Sequence, residues 1–367
     1  MDLPSFGQKQ KNSTGVYLAI LCIFFAVLVL VVVMERSDPS SEKNSTPISV
    51  KKDLKNNVPL VVPEPPVLTL DTALYDRKMI QLANYASTTS TTTVRLWPAK
   101  TVYPKVGAIL PFSRIVAYYG NLYSKGMGVL GEYPEDVMLD KLALEVKKWE
   151  KADPTTPVIP ALHYIAITAQ DNPGKDGKYR IRMPDAQIDE VVRMAKKIDA
   201  IVFLDIQVGK STVEAEMPMY ENYLKMPNVH FGIDPEFSMK TGKRPGTVIG
   251  TFDAADVNYV AEYLAKIVRE NDLPPKVLVV HRFTEDMVTN YKQIKPLPEV
   301  EIVMAMDGWG PPAKKFGTYN QVIYPEPVQF AGFKLFYKND LRAPSTHMLT
   351  PEEILKLKPQ PVYIQYQ

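Results

Sequence analysis

The segment Gly232-Ile233-Asp234-Pro235-Glu236 places two carboxylates two residues apart at the end of an apolar run. On an extended segment, residues i and i+2 share a face, so the charges of Asp234 and Glu236 repel and one proton is held more tightly. A carboxylic acid that stays protonated near neutral pH is the general acid that glycoside cleavage needs. A neighbouring carboxylate can orient substrate or stabilise developing positive charge. Glu236 is the expected acid and Asp234 its partner. Asp205 and Asp307, each at the end of another apolar run, are candidates for the base or electrostatic stabiliser. In such pairs a carboxyl separation of about 5 Å accompanies retention, and roughly 6.5 to 9.5 Å inversion.

Further polar and aromatic residues follow other apolar runs. They are Tyr119 and Asn121, His163, Gln207, His281, Trp309, Lys334 with Tyr337, and Gln365. Tyr119, His163, Gln207, His281, Trp309, Lys334, Tyr337 and Gln365 are expected to contact substrate. Each has an ordinary alternative: Asp and Asn commonly cap the next turn, and a lone His is often a satisfied structural group. Lys334 stands out. Embedded in Gly332-Phe333-Lys334-Leu335-Phe336, it either points into the mouth of the fold or lies on the wrong face of a buried strand, and the first costs less.

These residues must be positioned by the elements that precede them. From Arg114 onward, short β-branched or aromatic runs alternate with helical periodicity, the pattern of βαβ units. Strands are expected at 115–119, 158–163, 200–206, 229–233, 277–281, 302–306, 329–336 and 362–365. Eight is the number for a closed (β/α)8 TIM-like barrel, whose site lies at the carboxyl ends of its strands. Leu139, Leu142, Ala143, Val146 and Trp149 mark one amphipathic helix. Ile188, Val191, Val192, Ala195 and Ile198 mark a second, and Val257, Val260, Ala261, Leu264 and Ile267 a third. The segments after Thr284 and Pro311 are weaker, and no helical pattern follows the last strand. The amphipathic stretch 71–85 is expected to occupy the place of the eighth helix. The acidic loop 170–177 lacks the ligand spacing of a calcium loop and reads as an ordinary turn.

The 367 residues are 46% hydrophobic, enough for a substantial core, and the net charge of +2 gives no reason to expect nucleic acid as a partner. After a short tail, 1–14, every residue from Gly15 to Met34 is apolar, aromatic or small, the length a helix needs to cross a bilayer core. The run exceeds a signal-peptide core and lacks a small-x-small site, so a retained transmembrane anchor is expected. Cys22, the single cysteine, lies within it. Residues 35–68 are rich in Ser, Pro, Asn and Lys and read as a disordered linker, with the barrel domain spanning 69–367; the Ser/Thr run 87–93 reads as a loop. Lys9 and Lys11 precede the span while Arg36, Lys43, Lys51 and Lys52 follow it, a balance against export on charge alone. The short N-tail and stalk-like linker nevertheless favour a single-pass protein of the cell membrane with an extracytoplasmic domain.

Two segments resemble chitinase-like glycoside hydrolases. Gly232-Ile233-Asp234-Pro235-Glu236 is similar to a shortened form of that family's acidic strand-four motif, and Met304-Ala305-Met306-Asp307-Gly308-Trp309-Gly310 to its strand-six Met-x-Tyr-Asp segment, with Met306 in place of the tyrosine. The resemblance implies Glu236 as acid and Asp234 as the residue positioning a substrate acetamido group. A broader likeness runs through Tyr118-Tyr119-Gly120, Pro160-Ala161-Leu162-His163-Tyr164, Leu204-Asp205-Ile206-Gln207, Asp234-Pro235-Glu236-Phe237 and Lys334-Leu335-Phe336-Tyr337. It resembles an uncharacterised group of exported bacterial barrel proteins and implies no activity.

The leading expectation is a membrane-anchored glycoside hydrolase acting, without a cofactor, on a cell-wall or extracellular polysaccharide. A non-catalytic barrel that binds glycan or a partner protein at the cell surface is the second reading. The third is a metal-dependent sugar isomerase or hydrolase with Asp205, Glu236, His281 and Asp307 as ligands.

Overall fold

The computed structural model describes residues 69–85 and 95–367. The expected tail, anchor, linker and Ser/Thr loop lie outside them. Contacts divide the chain into two units, Met1–Pro65 and Pro66–Gln367, and the fold described here belongs to the second. Among the described residues no helix is long and apolar enough to cross a membrane.

Eight parallel strands form the core: β1 Arg114–Gly120, β2 Val158–Ala169, β3 Ile201–Ile206, β4 Val229–Ile233, β5 Lys276–Arg282, β6 Val300–Met306, β7 Phe330–Leu335 and β8 Tyr363–Tyr366. Each pairs with the next, and β1 pairs with both β2 and β8, through Tyr119↔His163 and Ala117↔Gln365, so the sheet closes into a barrel. Both faces of every strand are buried, which explains why the strands read as nearly continuous apolar runs. Alternation sends Val116, Leu162, Val202 and Leu278 outward to the helices. It sends Ala117, Ala161, Phe203, Val279, Val303 and Ala305 inward. Gly332 on β7 is small for a packing reason: a Cβ there would sit 3.0 Å from Ala305 Cβ and 3.1 Å from the Tyr363 ring.

The helices follow from their apolar spacing. α1 is Thr72–Ala83, α2 Glu135–Ala152, α3 Asp185–Lys196, α4 Ala254–Glu270 and α5 Pro312–Thr318, the last continued by a π-turn at Tyr319–Ile323. α2 buries Met138, Leu139, Leu142 and Trp149, whose indole donates to Tyr366 OH at 3.0 Å. Ala143 of the expected stripe is exposed. α4 starts with a reciprocal capping box between Asp253 and Asp256.

α1 corrects one expectation. It does not fill the gap of an eighth outer helix; it covers the barrel's amino-terminal floor. Tyr75 and Met79, one turn apart, join the interior cluster of Ile115, Ile201 and Val277 near the starts of β1, β3 and β5. Asn84 ties its end down by donating to Leu355 O and Leu357 O. An amphipathic pattern shows that one face is buried, but not what covers it. The second adjustment concerns β2, which runs six residues past the expected end. A register shift between Ile165 and Ile167 bends it, and Arg180–Arg182 pairs antiparallel along the extension.

Candidate active site

The inward series of each odd-numbered strand runs from apolar to polar towards the carboxyl end. β1 gives Ile115, Ala117, Tyr119; β3 gives Ile201, Phe203, Asp205; β5 gives Val277, Val279, His281; β7 gives Phe330, Gly332, Lys334. The four polar ends meet in one layer drawn from alternate strands, as barrel geometry requires. Tyr119 OH donates to Asp205 Oδ2 at 3.0 Å, His281 Nε2 lies 3.5 Å from the same oxygen, and Lys334 Nζ lies 4.0 Å from the Tyr119 ring centroid.

Residues of the even strands surround this layer. Asp307, just after β6, contacts His281 Nδ1 at 3.1 Å and Lys334 Nζ at 3.0 Å. His163 of β2 has Nε2 3.8 Å from Asp205 Oδ2 and Nδ1 against Tyr363 OH, which also accepts from Gln365 Nε2 at 2.7 Å. The tautomer of His163 decides which of Nδ1 and Tyr363 OH donates. Asp234, after β4, accepts Gln207 Nε2 at 3.2 Å and the Glu236 backbone N–H at 3.1 Å.

A cavity of about 480 Å³ opens above, at the carboxyl ends of the strands. Of the residues singled out from sequence, Glu236, Asp234, Asp307, Tyr119, Gln207, Trp309 and Lys334 line it. Trp309 stands at the rim, 44% exposed, with the Lys314 and Arg342 cations over its ring. Asp205, His163, His281 and Gln365 are fully buried beneath it. Tyr337 is not part of this cleft. It lies outside the barrel wall, with its OH 2.9 Å from Tyr118 OH and 3.0 Å from Glu145 Oε1. β7 ends at Leu335, and in the turn that follows Tyr337 is directed away from the cleft, whereas Phe336 lines it. The sequence reading missed Phe336. It also missed Phe237, Phe283 and Lys314, which lie beyond the strand ends, where the strand period of two does not apply.

Asp234 and Glu236 reach the cleft by a different local geometry from the extended one expected. Pro235 opens a 3-10 turn, Pro235–Phe237, and Asp234 caps it. Mutual repulsion is also not the main influence on Glu236. Burial pushes its carboxyl up to about 7, the charge of Asp307 adds to this, and Lys334 and His281 oppose it. Burial first, then the carboxylates of Glu236, Asp205 and Asp307, drive Asp234 well above the usual range, with His281 opposing. Asp307 is held below its usual value despite burial, by Lys334 and His281. Burial alone would lower His281, but Asp205 and Asp307 on either side raise it to about 10. His163, without that second carboxylate, is lowered by burial to about 4 and stays neutral. The array therefore alternates in sign: Asp205 negative, His281 positive, Asp307 negative, Lys334 positive.

The metal ligand set expected from sequence is also revised. The atoms that approach one another are on His163, Asp205 and His281, all within 4.8 Å. Glu236 lies on the turn above, and Asp307 binds the far nitrogen of His281.

No protein-family model and no curated protein matches the chain. Among solved structures it is similar to a Bacillus subtilis mannanase, BCman, at 11% identity over 70% of this chain and 81% of that one, with a TM-score of 0.32. The barrel assignment rests on the strand pairing itself.

Proposed function

We propose that the domain is a glycoside hydrolase that cleaves polysaccharide by carboxylate acid/base chemistry in this cleft. One observation carries the reading: Glu236 and Asp307 line the same cavity in different electrostatic settings, so the two carboxyls favour opposite protonation states near neutral pH. Glu236 protonates the departing glycosidic oxygen. Asp307, kept ionised by Lys334 and His281, faces the positive charge that develops on the sugar or activates the attacking water. Asp234 acts as a positioning residue, holding the turn that presents Glu236 and itself held by Gln207. Trp309 stands half-exposed at the rim, where the indole and the Lys314 and Arg342 cations over its ring offer contacts to a sugar.

The test is reducing-end release from a panel of cell-wall and extracellular polysaccharides. Glu236→Gln should lose about 10²- to 10⁴-fold in turnover, the usual contribution of general acid catalysis. Undiminished turnover in the variant overturns the assignment, and saturable glycan binding without product reassigns the cleft to recognition.

The apolar run 15–34 supports anchorage in the cell membrane, with the domain acting on the extracytoplasmic side. Alkaline extraction should leave the chain with the membrane fraction, and deleting 15–34 should release it.

A further inference from the structure

Below the floor of the cleft, three fully buried side chains from β2, β3 and β5 bring one potential ligand atom each within 4.8 Å of the others. His163 Nε2, Asp205 Oδ1 and His281 Nε2 have no hydrogen-bond partner, although buried polar atoms are almost always satisfied. We propose that these three residues bind one divalent transition-metal ion of the zinc class. This goes beyond the glycosidase reading and does not rest on it.

The spacing suits such an ion. Ligand bonds of about 2.0–2.2 Å at tetrahedral angles put donor atoms about 3.3 Å apart. His281 Nε2 and His163 Nε2 lie 3.5 and 3.8 Å from Asp205 Oδ2, and one ligand atom from each of the three residues lies within 4.8 Å of the others, so an inward movement of the imidazoles closes the site around a carboxylate whose Oδ1 is free and whose Oδ2 also accepts from Tyr119. Two imidazoles and one carboxylate favour zinc, cobalt or ferrous iron over magnesium or calcium, which take oxygen shells. Three protein ligands are the number found where a fourth position is left for solvent or substrate.

The outer partners are of the kind that orient metal-bound histidines. His281 Nδ1 faces Asp307 Oδ2 at 3.1 Å and keeps its proton there, so the ion takes Nε2 by displacing the second proton of the imidazolium. His163 Nδ1 faces Tyr363 OH. For His163 to ligate through Nε2, Nδ1 must donate to Tyr363, and the tyrosine proton then needs another acceptor. Gln365 supplies one: its buried Oε1 is unpartnered, and a half-turn of the amide brings it to Tyr363 OH. Gly232 keeps the hollow open on the β4 side, since a Cβ there would lie 2.7 Å from both Asp205 Oδ1 and His163 Nε2.

The experiment uses the full-length, untagged chain in detergent, stripped with dipicolinate and titrated with Co2+. The expected result is saturation at one Co2+ per chain, with the visible absorption of a low-coordinate ion and displacement by one equivalent of Zn2+. His163→Gln and His281→Gln should each abolish this signal, and Asp307→Asn should weaken binding about 10- to 100-fold. Glu236→Gln should leave it intact, which separates this site from the cleft chemistry. Absence of saturable binding in the wild type overturns the proposal, as does full binding in both histidine variants. If a histidine variant does not fold, the wild type decides: pulsed EPR of bound Cu2+ should show two coordinated imidazoles, and one or none overturns the site.

Discussion

Lys334 Nζ lies 3.0 Å from Asp307 Oδ1, both groups buried at the mouth of the barrel. The pair fixes the charge of Asp307, and Lys334 also restrains how far the Glu236 carboxyl rises. Lys334→Met leaves a buried carboxylate with His281 as its remaining cation, at a cost of about 3–5 kcal/mol by the usual penalty for breaking a buried pair. Chemical denaturation reads that loss. In molecules that remain folded, the alkaline limb of the pH–rate profile should move upward, because a cation that favoured the ionised form of Glu236 is gone.

The wild-type pH profile should be bell-shaped. Turnover needs Glu236 protonated, so kcat/KM should fall as pH rises through about 7. It also needs Asp307 ionised, so the acid limb should lie below the ordinary carboxylate range.

The same group links stability to pH. Glu236 titrates at 4.5 in its unperturbed state and at about 7 in the fold, so the native state holds this proton more tightly. The stabilisation is fully present below pH 4.5 and is lost as pH rises through 7. Glu236→Gln removes the cost of burying the ionised group and should be about 1–3 kcal/mol more stable than wild type above pH 7, allowing for partial solvation. Urea unfolding at pH 4 and pH 8 checks the sign, which is opposite to the effect on activity.

Gly232→Ala inserts a methyl 2.7 Å from Asp205 Oδ1 and His163 Nε2. Overpacking of this kind costs about 1–3 kcal/mol, and the buried acid has little room to retreat. The melting temperature should fall and Co2+ binding should be lost.

Tyr337→Phe should leave kcat/KM unchanged and cost about 1 kcal/mol of stability, the usual value of a part-buried hydroxyl contact. A selective loss of activity would return Tyr337 to the cleft.

The eight strands were legible because each is buried on both faces and is bounded by turn residues. The polar strand ends were legible because they interrupt apolar runs. Which residues past these ends share the cleft depends on the turn that follows each strand, as with Tyr337 and Phe336. The floor position of α1 and the approach of His163 to Asp205 and His281 depend on closure of the barrel. His163 lies 42 residues from Asp205 and 118 from His281, and no local pattern encodes the approach of all three. The 3-10 turn that presents Glu236 was written in Pro235, which fixes the backbone angle just where an extended reading would place the two carboxylates side by side.

The Glu236 carboxyl in this cleft keeps its proton close to neutral pH. The direct measurement is a pH titration of the side-chain carboxyl signals of the protein labelled with 13C at glutamate Cδ, with Glu236 assigned by its absence in Glu236→Gln. The expected midpoint for that signal is near pH 7; a midpoint between about 4 and 5, the ordinary range for glutamate, would overturn the assignment of Glu236 as the acid.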